Sequence, residues 1–266
     1  MPSPRPALEL LARLGYAARG VVNLVIGVLA LVGAFGPGGG QATDSKGALQ
    51  ELLLHPFGGV LLGVVALGLF GFALWRGMQS LLDADNRGHG GKAMAVRGGQ
   101  LVSAFAYVSL GVFAVSLLIG NATHSGDGQS ARDWTRWVLE KPAGELLVAA
   151  AGVIVAGVGF AMLYLAWSRA FTRHLRCSAE ASRWVIPLGQ VGFAARGVVF
   201  LIIGAFIGIA AWQSDASEVR GLGGALLALQ QQPFGRALFG LVALGLAAFG
   251  TFEFAEARFR RIDAPG

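Results

Sequence analysis

Gly15-Tyr16-Ala17-Ala18-Arg19-Gly20-Val21-Val22-Asn23-Leu24-Val25-Ile26-Gly27 returns 177 residues later as Gly192-Phe193-Ala194-Ala195-Arg196-Gly197-Val198-Val199-Phe200-Leu201-Ile202-Ile203-Gly204, identical at ten of thirteen positions. The same offset carries Pro56-Phe57-Gly58 onto Pro233-Phe234-Gly235, and Val65-Ala66-Leu67-Gly68-Leu69 onto Val242-Ala243-Leu244-Gly245-Leu246. One offset holding across two apolar stretches and the segment between them marks a duplicated unit. Unrelated apolar helices would not keep their spacing.

A third, more divergent copy lies between the two. Its first stretch aligns at an offset of 84, setting Gly99, Ala104 and Gly111 against Gly15, Gly20 and Gly27. Its second aligns at 86, setting Pro142, Gly144 and Gly157 against Pro56, Gly58 and Gly71. Where the outer copies have Arg19 and Arg196, the middle copy has Ser103. In the Gly-Tyr/Phe-Ala-Ala-Arg-Gly-Val-Val opening and the Pro-Phe-Gly element the chain resembles the bacterial domain-of-unknown-function family 1206, over nearly its whole length. The resemblance implies a two-helix unit repeated three times in tandem. It brings no established activity, substrate or catalytic residue.

Of the 266 residues, 55% are hydrophobic and 14% are charged, with a mean hydropathy of +0.61. Soluble domains carry roughly 25% charged residues. Six apolar stretches, near 14–35, 57–82, 97–120, 142–168, 187–212 and 233–257, are long enough to cross a bilayer, which takes about 20 helical residues. The first follows Arg5 and Arg13, but its apolar core exceeds that of a secretory signal and its near-copy recurs inside the chain, so it reads as a retained helix. The units fall at 14–83, 97–168 and 187–258, between a short N-terminal segment at 1–13 and a C-terminal one at 259–266.

Fifteen of the 21 Lys and Arg residues fall on the side of the termini. Six, Lys46, Arg132, Arg136, Lys141, Arg220 and Arg236, fall on the other, while the acidic residues divide seven to eight. A bias carried by positive charge places both termini in the cytoplasm, and a bacterial chain of this kind in the cytoplasmic (inner) membrane. It also accounts for the net charge of +6 without nucleic acid as a partner. The six tryptophans lie at span ends or in an outer loop, where an indole suits the interface. Two spans per unit make all units enter the membrane in the same sense. The expected fold is an all-α transmembrane six-helix bundle of three parallel two-helix repeats in a pseudo-three-fold arrangement.

Apolar burial does not drive helix association in lipid, so small residues mark the packing faces. Gly20, Gly27, Gly111, Gly197 and Gly204 are the packing candidates, spaced to share one face in each unit. Proline is expected in the first turn of each second helix, where its missing N–H has no partner to lose. The loops before it, around Ala48-Leu49, Trp134-Trp137 and Ala225-Leu226, are expected to hold short amphipathic helices lying in the interface.

Arg19 and Arg196 are the candidate functional residues, because ionisable side chains within spans are rare and costly. Each sits near the cytoplasmic boundary, so snorkelling to the headgroups as an anchor is the simpler role. Anion binding and an interhelical salt bridge are the others, with Glu253 and Glu256 as partners. Asn23 is the one strongly polar side chain well inside a span, suited to an interhelical hydrogen bond. His55, His89, His124 and His174 occupy four separate connections and lack ligand spacing, and Cys177 is a lone thiol in a loop. The run at 36–40 reads as a flexible turn, and Asn121-Ala122-Thr123 as an acceptor pattern without a eukaryotic context. No metal, cofactor or catalytic group is expected, and hence no enzyme. The lipid bilayer is the sure partner, with a membrane protein or a second copy as further ones. A membrane component binding proteins or lipids is the first functional expectation, and a small channel or transporter with its path at the repeat interface is the second.

Overall fold

The computed structural model describes residues 4–35, 44–83, 88, 90–121, 127–175 and 177–260. The run at 36–40, His89, His124, and the Ala122 and Thr123 of the acceptor pattern lie outside them. Nine α-helices are described: α1 Pro4–Phe35, α2 Ser45–Leu54, α3 Gly58–Leu81, α4 Gly91–Leu118, α5 Asp127–Leu139, α6 Gly144–Ser168, α7 Ala179–Gln213, α8 Leu222–Gln230 and α9 Gly235–Phe259. Six of them (α1, α3, α4, α6, α7, α9) are long and apolar enough to cross a bilayer. The chain is an integral membrane protein. Among the described residues the extended backbone amounts to one isolated antiparallel bridge, Leu175 to Arg260, at the end of the bundle that carries the termini.

Each unit turns into its second long helix in the same way. The amide of Gly58 donates to the His55 carbonyl at 2.8 Å, that of Gly144 to Lys141 at 2.9 Å, and that of Gly235 to Gln232 at 2.7 Å. Proline is second in each turn, and the third residue has positive φ: Phe57 62°, Ala143 60°, Phe234 60°. That is the pattern of a type II turn. Proline therefore does not occupy the first helical turn, as the sequence suggested; it forms the turn, and the helix starts two residues later. Glycine is required at that start because the preceding short helix folds back on it. A Cβ on Gly58 would come 2.7 Å from the Leu53 carbonyl carbon, and one on Gly144 would come 2.8 Å from the Leu139 Cα.

The short helices differ from the expected interfacial type. Ala48 and Leu49 of α2, and their equivalents Ala225 and Leu226 of α8, are buried in the main core with Leu62 and Phe239. These two helices plug the end of the bundle. Only α5 presents aromatic side chains outward, with Trp134 and Trp137 exposed and edge-on at 5.7 Å. Trp75 also departs from the interfacial expectation, since it is buried beside Ala12, Tyr16 and Phe72.

The strongest packing joins different units. α4 lies on α3, α7 on α6, and α1 on α9. In each case the first helix of one unit meets the second helix of the unit before it, with the first unit closing onto the last. The register repeats. A Cβ on Gly27 would sit 2.6 Å from the Ala247 Cα, one on Gly204 2.8 Å from the Ala156 nitrogen, and one on Gly111 3.0 Å from the Phe70 ring. Ala247, Ala156 and Phe70 occupy one equivalent position.

Contacts inside a unit repeat only in the outer two. A Cβ on Gly15 would meet Phe72 Cβ at 2.6 Å, and one on Gly192 would meet the equivalent Phe249 Cβ at 2.8 Å. Gly68 closes on Ala18 and Leu14, and Gly245 likewise on Ala195 and Val191. In the middle unit, Val102 and Ile154 stand where Ala18 and Gly68 stand. Two branched side chains at that crossing keep the axes apart. Val102 and Ile154 are accordingly 70% and 66% exposed, and nothing lies within 4 Å of a Cβ built on Gly98 or Gly99. Among the described residues α4 and α6 form no substantial contact. The pseudo-three-fold arrangement is thus not completed: the joints between units repeat, while the middle pair stays open.

Candidate functional site

The helical period sets Tyr16, Arg19, Gly20 and Asn23 on adjoining parts of one α1 face. Gly20 lets α9 approach until a Cβ there would lie 3.1 Å from the Gly250 carbonyl oxygen. That close approach brings Glu253 opposite Arg19. The two form an ion pair in which Arg19 is 7% and Glu253 0% exposed. Asn23 Nδ2 donates to Glu253 Oε2 at 2.7 Å and to the Arg19 carbonyl at 3.0 Å. The Arg19 guanidinium also lies 4.3 Å from the Phe72 ring centre and 5.3 Å from that of Tyr107, a cation–π arrangement. An arginine at mid-bilayer costs about 2.5–3.5 kcal/mol or more. The carboxylate and two ring faces together offset that penalty, and the Asn23 amide holds the carboxylate in place.

Toward the termini the remaining charges are matched in pairs. Glu256 accepts from Arg260, one residue past the end of α9, and the Arg260 guanidinium lies 4.9 Å from the Tyr16 ring centre. Arg13 pairs with Glu9 at 2.7 Å and donates to the carbonyls of Ala257 and Arg258 at 2.6 and 2.7 Å, satisfying the open C-terminal end of α9. Glu256 therefore serves Arg260, and forms no ion pair with Arg19 or Arg196 among the described residues.

Arg196 has a different environment from its equivalent. Its guanidinium lies 4.6 Å from the Phe249 ring centre and 5.7 Å from that of Phe200, and it makes no ion pair among the described residues. The register of the joints explains the difference. The α9 position that gives Glu253 to Arg19 corresponds on α6 to Met162, so Arg196 has a thioether in place of a carboxylate. Phe200 likewise replaces Asn23. At the remaining joint the same two positions hold Ser103 on α4 and Arg76 on α3. Arg76 lies 5.1 Å from the Phe72 ring centre and donates to Gln79 Oε1 at 3.3 Å.

The three joints thus hold three arginines at one register level, Arg19 and Arg196 at the first-helix position and Arg76 at the second-helix position, with one carboxylate, Glu253. Tyr107 borders this level: its ring packs 4.8 Å from Phe72, and its centre lies 5.3 Å from the Arg19 guanidinium. The buried Nε atoms of Arg19 and Arg76 and the Tyr16 hydroxyl make no hydrogen bond among the described residues. Beyond this layer, toward α2 and α8, the core is apolar, with Ile26, Ala30, Ala34, Leu62, Leu49, Leu226 and Phe239 all buried.

The other residues singled out in the sequence are dispersed. His55 is exposed beside its own helix carbonyl at Glu51. Cys177 is a half-buried free thiol packed near Phe171 and Val185. No group of three or more His, Cys, Asp or Glu side chains converges as metal ligands among the described residues.

Six membrane-length helices in three tandem pairs, interlocked at joints that carry arginines, define a multi-pass membrane protein of internal repeats. The chain belongs to the family described as Domain of Unknown Function (DUF1206), whose profile matches residues 14–83, 98–169 and 191–260. It is 32% identical over 252 residues to the uncharacterized protein YxxB of Bacillus subtilis (strain 168), covering 93% of this chain and 90% of that one. That relative is a bacterial protein. No solved structure matches the chain.

Proposed function

We propose that the protein is a non-enzymatic component of the bacterial cytoplasmic membrane, with both termini in the cytoplasm, that binds lipids or partner proteins through its membrane-facing surfaces. One observation carries this reading. Among the described residues, an apolar core that α2 and α8 complete separates the polar layer from the far side, and a transport path would need polar groups through that depth. The unmatched α4 and α6 faces add membrane-exposed surface, with Val102, Phe105, Leu147, Ile154 and Phe160 all outward. The orientation rests on the fifteen-to-six division of basic residues.

Reconstitution into liposomes loaded with chloride-, potassium- or proton-sensitive dyes tests the reading against a channel. The leak rate should equal that of empty liposomes at every protein density. A flux that rises with protein density, in any of the three, sinks it in favour of transport.

A further inference from the structure

We infer that the arginine layer is a binding site for a phosphate-type oxyanion, held between Arg19, Arg76 and Arg196 beside Tyr107. It deepens the lipid-binding reading above and rests on it for the source of the anion.

Charge balance comes first. The three joints place one residue pair each at this level: Arg19 with Glu253, Ser103 with Arg76, and Arg196 with Met162. Only the first pair is neutralised. Arg76 and Arg196 form no ion pair among the described residues, so the layer carries two uncompensated positive charges inside a span. Such charges are retained in a low-dielectric setting when something of opposite sign meets them. The pairs Glu256 with Arg260 and Glu9 with Arg13 are already matched toward the termini, and supply no surplus carboxylate.

Donor geometry points the same way. The Arg19 and Arg76 guanidinium groups stack on the Phe72 ring, 4.3 and 5.1 Å from its centre, and each keeps a buried Nε–H without an acceptor. The buried Tyr16 hydroxyl, on a ring whose centre lies 5.9 Å from the Arg19 and 4.9 Å from the Arg260 guanidinium, is likewise unmatched. Planar guanidinium groups with free N–H donors suit the oxygens of a phosphate, which several can share. Access exists on one side. Arg196 and Tyr107 are half-buried, whereas Arg19 is buried, and they belong to α7 and α4, on the flank where α4 and α6 stand apart. An anionic headgroup entering there leaves its acyl chains against the apolar faces of α4 and α6. Free inorganic phosphate has the same oxygens and none of the chains.

The middle unit supplies the test variants, since it already has a neutral residue at each position. Arg196→Ser copies Ser103, and Arg76→Met copies Met162. The full-length protein in zwitterionic detergent is melted, following tryptophan fluorescence, with added phosphatidylglycerol, phosphatidylcholine, or potassium phosphate against potassium chloride of equal ionic strength. The unfolding midpoint of the wild type should rise more with phosphatidylglycerol than with phosphatidylcholine, and the double variant should lose that difference. Arg236→Ser, at the opposite end of the bundle, should keep it. A rise with phosphatidylglycerol alone assigns the site to a lipid headgroup, and an equal rise with inorganic phosphate assigns it to the free anion. Native mass spectrometry of the wild type gives a second measure, with phosphatidylglycerol retained in preference to phosphatidylcholine. No phosphate-dependent preference in either measurement overturns the proposal. Preference that survives in the double variant overturns this site while leaving lipid binding elsewhere standing.

Discussion

Glu253 meets Arg19 where both side chains are buried, so the two are best understood by removing one or both. Glu253→Gln keeps an acceptor for Asn23 but leaves a buried arginine without its counter-charge. Breaking a buried pair from one side costs about 3–5 kcal/mol, whereas exchanging both members for neutral residues is often nearly free. Unfolding in mixed detergent should show that loss for Glu253→Gln and recover most of it in Arg19→Met/Glu253→Gln. Equal stability of wild type and Glu253→Gln refutes the pairing. Arg19→Lys should also destabilise, because an ammonium cannot both stack on Phe72 and present a planar fork to Glu253; a headgroup anchor would tolerate it. At Cys177, burial pushes the thiol above its ordinary range. A raised value means less thiolate at neutral pH, and thiolate is the reactive form. Maleimide should therefore label Cys177 more slowly than an engineered Gln129→Cys at pH 7, with the gap closing as pH rises past 9. Equal rates at pH 7 refute the burial. Arg19, Asn23 and Glu253 were legible in the sequence because polar groups within a span are conspicuous. Phe72, Tyr107 and the place of Arg76 in the layer were not, since what they face is decided by the register between units.

Among the long helices, the repeated glycines separate into those with a neighbour and those without. Gly27→Ala would drive a methyl group to within 2.6 Å of the Ala247 Cα, where backbone cannot yield as a side chain can. Overpacking of this kind costs roughly 1–3 kcal/mol. Gly157→Ala meets nothing within 4 Å and gains helix propensity of up to about 1 kcal/mol. The two variants should shift the unfolding midpoint in opposite directions, and a destabilised Gly157→Ala refutes the open middle pair. Glycine spacing alone revealed the packing faces, yet could not tell which of them are used. Val102 and Ile154 decide that for the middle unit, and their effect is visible only once α1 and α3 show what Ala18 and Gly68 do at the same crossing. The short helices before each turn were legible as amphipathic segments. Their apolar side was read as facing lipid because nothing in the local pattern distinguishes lipid from a neighbouring core.

For the molecule as a whole, orientation is the outstanding physical variable. In a Cys177→Ser background, membrane-impermeant maleimide added to intact cells should label Gln129→Cys and Ser214→Cys, and should reach Gly88→Cys only after lysis. Labelling of Gly88→Cys in intact cells reverses the topology and removes the basis for cytoplasmic termini. The six spans and three units were readable from hydropathy and a constant offset, because both are properties of a linear string. That the units interlock more than they cohere was not readable, since it depends on which helix each glycine face selects.

The joint of α1 on α9 has a consequence for how the chain is made. Asn23 and Glu253, bonded to one another, are 230 residues apart, so the first span enters the membrane long before its partner exists. Until α9 arrives, Arg19 has no carboxylate and Gly20 and Gly27 line an empty groove. The final helix thus completes the fold as a keystone does an arch: a ribosome product that stops short of Gly235 carries a charged, unfilled seam inside the bilayer.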